Sequence, residues 1–128
     1  MSDALEVGRK LVKLVREGNS GEAVRSLYAP DIVSVEAYPG DHQTLRGLEA
    51  CLAKGEMFDQ QHEIHSAKLE GPFPNGHQFV VFYDYDVTHR ESGKRFPMRE
   101  AAVYTVEEGK VIHEKFFYSF EPENPHGE

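Results

Sequence analysis

Apolar side chains recur every three or four positions from Ala4 to Val15. Ala4, Val7, Leu11 and Leu14 share a stripe with Gly8, Val12 and Val15, while Arg9, Lys10, Lys13 and Arg16 fall elsewhere. This period predicts one amphipathic helix ending near Gly18. Asn19 with Glu22 three residues later fits a capping box. Ala23, Val24, Leu27 and Tyr28 then form one face of a short second helix that Pro30 stops. Residues 31–37 are β-branched and partly alternating, which predicts a strand broken by Pro39-Gly40-Asp41. Helical spacing returns over residues 47–59, with Leu48, Cys51, Leu52 and Phe58 facing inward.

The pattern then changes. Ten of the fourteen Phe and Tyr residues lie at or beyond Phe79, which favours strands in the second half. Strands are expected at 62–70, 78–90, 95–106 and 110–119, separated by turns at Gly71–Gly76, Ser92-Gly93 and Glu107–Gly109. The order α-α-β-α-β-β-β-β predicts an α+β fold, with three helices on one face of a mostly antiparallel sheet. Residues 1–120 read as one domain and 121–128, with two prolines, as a frayed tail.

Turn length fixes which strand residues lie opposite each other. A two-residue turn at Ser92-Gly93 sets Tyr85 against Glu100 and Tyr83 against Ala102. A three-residue turn at Glu107–Gly109 sets Ala102 against Glu114 and Glu100 against Phe116. One face then carries Val81, Tyr83, Tyr85, Met98, Glu100, Ala102, Tyr104, Ile112, Glu114, Phe116 and Tyr118. Being the larger and more aromatic of the two, it is assigned to the interior. Glu100 and Glu114 would lie one diagonal step apart, roughly 7 Å. Two inward carboxylates at that distance suit acid/base chemistry, one protonated and one ionised. Parity with Ala67 and Leu69 adds His65 as a third catalytic candidate, while Tyr28, Tyr83, Tyr85, Met98, Tyr104 and Phe116 would line the ligand space. Simple alternation puts Val33, Val35 and Ala37 inside and Glu36 outside, so Glu36 joins the lining only if a bulge turns it inward. His62 and His65 point to opposite strand faces and cannot share one ion, so no metal is expected. Cys51 reads as a small core residue.

Composition narrows the function classes. A chain of 128 residues suits one domain, and 28% charged with 39% hydrophobic residues suits one core. The net charge of −8 argues against nucleic acid, whose phosphates demand cations. The longest apolar run, Phe79 to Tyr83, is too short to cross a membrane, and no export signal is visible. A single cysteine excludes an intrachain disulfide and fits a reducing cytoplasm.

Several segments resemble a known superfamily. These are Tyr28-Ala29-Pro30-Asp31 entering a strand that ends Val35-Glu36-Ala37, Arg46-Gly47-Leu48-Glu49-Ala50 opening a helix, and Gly109-Lys110-Val111-Ile112. They look like the nuclear transport factor 2-like superfamily. His62–Ala67, Glu70-Gly71-Pro72-Phe73, Asp86-Val87-Thr88 and Glu114–Tyr118 resemble its SnoaL-like proteins more closely. The resemblance implies a curled sheet closed by helices into a conical pocket, usually in a homodimer. The ketosteroid isomerase pattern would place its functional residues near Leu11, Ala37 and Ala102, where all three roles are vacant, so that activity is not carried over. Two readings remain. One is a cofactor-free acid/base enzyme of isomerase, cyclase, hydrolase or dehydratase type acting on a small hydrophobic or aromatic molecule. The other is a non-catalytic binding module or dimerisation domain. A homodimer is expected through the outer sheet face, where Val80, Phe82, Ala101, Val103, Val111 and Phe117 form an apolar patch with Asp84, Asp86, Arg99 and Lys115 around it.

Overall fold

The computed structural model describes residues 3–118. The expected tail, Glu121 to Glu128, lies outside them. The elements run α1 (Asp3–Arg16), α2 (Ser20–Leu27), β1 (Tyr28–Val35), β2 (Thr44–Arg46), α3 (Leu48–Gln61), β3 (His62–Asn75), β4 (Gln78–His89), β5 (Arg95–Glu107) and β6 (Lys110–Phe117). The three helices and five expected strands are all present in an α+β arrangement. The strands form one sheet ordered β2-β1-β6-β5-β4-β3, antiparallel except for β1 against β6. The added strand β2 has only three residues, too few to show a period.

Two local expectations fail at α2. Asn19 occupies the N-cap, but its side chain makes no cap bond; its carbonyl accepts the Ala23 amide at 3.1 Å instead. Pro30 does not end the helix either, because β1 already begins at Tyr28. Six residues of β1, Tyr28 to Val33, span only the three from Val111 to His113 on β6, and this irregularity accommodates a proline without a backbone donor.

Leu11 of α1, Ile32 of β1, Phe79 and Val81 of β4, Tyr104 of β5 and Val111 of β6 meet in the core, each almost wholly removed from water. Helix α1 lies against β3, β4 and β5. At Gly8 it passes close to the sheet: an added Cβ there would stand 2.7 Å from Pro72 Cβ and 2.9 Å from Pro72 Cγ.

The turns set a register different from the one expected. The β4–β5 loop is longer, closing through His89 N–H to the Lys94 carbonyl at 2.8 Å, so that Thr88 faces Arg95. Pairs therefore slide by two residues: Tyr85 faces Met98 and Tyr83 faces Glu100. The β5–β6 turn is shorter, with Glu108 and Gly109 at φ 51° and 77°, as a two-residue hairpin of the right twist needs. A bulge between Thr105 and Val106 then places Ala102 against Phe116 and Tyr104 against Glu114. Slides of two preserve the sheet faces, and the inward set survives beyond the bulge. At the bulge itself Val111 turns inward to pair with Val106, and both are buried, so Val111 is not part of the outer patch. Glu100 also moves away from Glu114 by four residues along the strand, roughly 13 Å at about 3.3 Å per residue, rather than one diagonal step.

Gly8 yields a test of the α1 contact. An exposed mid-helix glycine replaced by alanine gains up to about 1 kcal/mol from helix propensity. At Gly8 the new methyl must push the Pro72 ring aside, so Gly8→Ala is expected to destabilise the fold by about 1–3 kcal/mol. A lowered urea midpoint with an unchanged slope would bear this out. A raised midpoint would mean the contact is loose.

Candidate functional site

Across the inner face the ladders join side chains into rows. Phe79, Tyr104, Glu114 and Ser34 form one row; Val81, Ala102 and Phe116 the next; Leu69, Tyr83 and Glu100 a third; Ala67, Tyr85 and Met98 a fourth; Ile64, Val87 and Phe96 the last. The first row is sealed under the helices; in the last, Val87 is equally buried and only Ile64, at the β3 edge, is 42% exposed. The face therefore runs from a closed polar end to an apolar lip that meets water along β3.

The closed end holds a network joining β1, α3 and β6. Glu114 is 2% exposed. Its Oε1 accepts from the Tyr28 hydroxyl, and its Oε2 accepts from Ser34 Oγ at 2.6 Å. Lys54 Nζ of α3 donates to Ser34 Oγ at 2.8 Å and to Glu36 Oε2 at 2.5 Å, and lies 3.7 Å from Glu114 Oε2. The Tyr118 hydroxyl donates to Glu36 Oε1 at 2.7 Å. Lys54 also stands 4.7 Å over the Phe116 ring, a cation–π distance. Burial disfavours the Lys54 charge, but Glu114 and Glu36 more than offset this and raise its pKa above the ordinary lysine value. Burial, then the Glu114 charge, lifts the Tyr28 phenol well above its usual range.

Glu100 differs. Among the described residues no hydrogen bond or salt bridge reaches its carboxyl, and burial, followed by the Glu36 charge, raises its pKa to about 7 despite Lys54. Beside it the Tyr83 and Tyr85 rings stack at 5.8 Å, and the Tyr83 hydroxyl meets that of Tyr104 at 2.5 Å.

Of the residues singled out by sequence, Glu100, Glu114, Tyr28, Tyr83, Tyr85, Tyr104, Met98 and Phe116 all lie on the inner side. His65 does not. A bulge between Ile64 and Ser66 reverses strand parity, so that His65 Nε2 meets Thr88 Oγ1 at 2.7 Å on the outer side, near Glu63. His62 is the inward histidine; its ring stacks on Phe58 at 4.3 Å, at the open lip. On β1 the alternation is likewise opposite to expectation: Ile32 and Ser34 are buried and Glu36 reaches the network, because Ser34 pairs with the inward Glu114. Lys54, Ser34 and Tyr118 were not singled out. Lys54 could have been, since it lies three residues after Cys51 and four before Phe58, on the helix face assigned to the core. Among the described residues no group of three His, Cys, Asp or Glu side chains could hold a metal ion. None of their helices is long and apolar enough to cross a membrane.

Solved structures share this fold. A Mesorhizobium loti protein, provisionally named a SnoaL-like polyketide cyclase with carbohydrate phosphatase beside it, is 35% identical over 88% of this chain and 97% of its own, with a TM-score of 0.84. A nuclear transport factor 2-like protein of Burkholderia thailandensis is 21% identical over 93% and 92% of the two chains, with a TM-score of 0.78. A Bacillus subtilis protein provisionally named an isomerase is 14% identical over 93% and 90%, with a TM-score of 0.73. The last two bear on the fold alone. No curated protein matches this sequence. Residues 3–118 match the SnoaL-like domain family, and the chain belongs to that family.

Proposed function

We propose that the chain is an acid/base enzyme acting on a small apolar or aromatic molecule held on the inner face, with Glu100 as the group that exchanges the proton. The observation that carries this reading is the contrast between two neighbouring carboxyls. Glu36 is held by Lys54 and Tyr118, while Glu100 has no such partners and burial, then the Glu36 charge, lifts its pKa to about 7. A carboxyl lifted to that range can both hold and give up a proton near neutral pH. The rows of Tyr83, Tyr85, Met98 and Phe96 provide the apolar wall, and the opening at Ile64 the entrance. In this reading Glu114, with both oxygens engaged, is a positioning residue that fixes Ser34 and Lys54. His65, on the other face, has no part. The isomerase and cyclase names given to structural relatives are compatible with proton transfer but select no substrate. The unpaired, buried Cys51 accords with a cytoplasmic setting.

We further propose a homodimer through the outer sheet face. Phe73, Phe82 and Phe117 are 52%, 43% and 49% exposed there, with the Phe73 and Phe82 rings 6.0 Å apart edge to face. The charges beside them are already matched within the face, Asp86 with Arg95 at 2.7 Å and Asp84 with Arg99 at 4.0 Å, so a second copy need not supply partners. Covering this patch needs a standard interface of about 800 Å² per partner, which a twofold axis supplies.

These proposals have direct tests. Carbon-detected NMR should give Glu100 a midpoint near 7; an ordinary value would remove the acid/base reading. Its folded pKa lies above the unfolded value, so its contribution to stability is complete below the unfolded pKa and is lost as pH rises through 7. Over that interval the loss is on the order of 3 kcal/mol, and Glu100→Gln should abolish this dependence of the urea midpoint. Against a panel of isomerase, cyclase, hydrolase and dehydratase substrates, Glu100→Gln should lower kcat by about 10²–10⁴ at unchanged fold. Ligand binding without turnover anywhere in the panel would instead identify a binding module. For the dimer, sedimentation equilibrium should give twice the chain mass, reduced to one by Phe117→Glu. A monomeric wild type would rule the interface out.

A further inference from the structure

We propose that the inner face takes a small aromatic or apolar amine, bound as its ammonium ion with the charge at Glu100 and the hydrocarbon part against Tyr83, Tyr85, Met98 and Phe96. This rests on the reading of that face as the ligand site and adds the charge of the ligand. The inner face is one cation short. Two carboxylates, Glu36 and Glu114, share the single ammonium of Lys54, whose contacts at 2.5 Å to Glu36, 2.8 Å to Ser34 and 3.7 Å to Glu114 leave Glu100 only its distant field and no ion pair. Arginines do not make up the count: Arg95 and Arg99 point to the outer face, where they pair with Asp86 and Asp84, and Arg16 of α1 is engaged by the Leu69 carbonyl at 2.8 Å.

The groups around Glu100 come from every neighbouring element: Glu36 beyond β1, Lys54 and, next to Tyr85, Asp59 on α3, Tyr83 and Tyr85 on β4, and Glu114 on β6. Their sum is negative. An anionic ligand would meet carboxylates, and a neutral one would leave Glu100 without a partner. An ammonium ion completes the count and lies beside two stacked phenol rings, whose faces attract cations. Its arrival also changes the protonation of the site. The carboxylic acid of Glu100 gives its proton to solvent and becomes the carboxylate of an ion pair, while the ammonium keeps all its protons.

Calorimetric titration of the full chain at about pH 6 tests this, because proton release is then measurable from the difference between phosphate and MES buffers. Three probes of one shape are compared: phenethylamine, phenethyl alcohol and phenylacetate. NMR shifts of the Tyr83 and Tyr85 rings locate each. The amine should bind roughly tenfold more tightly than the alcohol or better, about 1.4 kcal/mol, and release protons. Glu100→Gln should bring the two within about threefold and end the proton release. If the alcohol shifts the rings and the amine binds no better, or binds without releasing protons, the amine is wrong while the ligand face stands. Should phenylacetate bind most tightly, the charge count itself is wrong. If no probe shifts the rings, both the amine and the ligand face are overturned.

Discussion

A carboxylate removed from water must be satisfied or it unfolds its surroundings, and Glu114 is that carboxylate here. Burying an ion costs several kcal/mol even after relaxation, and removing one partner from a buried pair typically costs about 3–5 kcal/mol. Glu114 meets this with Tyr28 and Ser34 from β1 and Lys54 from α3, so one side chain on β6 ties together two strands and a helix. The one parallel pairing in the sheet, β1 beside β6, sets Ser34 level with Glu114 and so brings the hydroxyl to the carboxylate. Lys54 then shares its single charge between Glu114 and Glu36.

How far the sequence revealed this depended on which geometric quantity was being read. Helical period located α1 and α3, since a stripe of seven apolar positions survives an error of one residue at either end. Strand faces were also legible beyond β3, because register errors at both hairpins were slides of two and parity is blind to them. Distances were not. The diagonal contact between Glu100 and Glu114 vanished with the same slides, and Glu36, not Glu114, became the carboxylate that most affects Glu100.

Bulges were the other hidden quantity. An extra residue near His65, another at Ile112 of β6 opposite the Thr105–Val106 step, and the irregular entry to β1 each reverse parity locally. Each therefore exchanged an inward residue for its neighbour: His62 for His65, Val111 for Ile112, Ser34 and Glu36 for Val33 and Val35. No composition marks these places. A physical criterion would have helped at β1: Glu114 on an inward face needs donors, and Ser34 and Lys54 were the polar residues able to supply them.

The gradient along the inner face separates two tasks that a small domain must perform with few residues. At the closed end every polar atom is partnered, so the network gives rigidity but has no capacity left for a ligand. At the open end Glu100 lacks partners and Ile64 is left to water, both unfavourable for the isolated fold. Such deficits are tolerable because the closed end fixes the strands that carry them, and they are useful because a ligand that supplies hydrocarbon and charge relieves both at once.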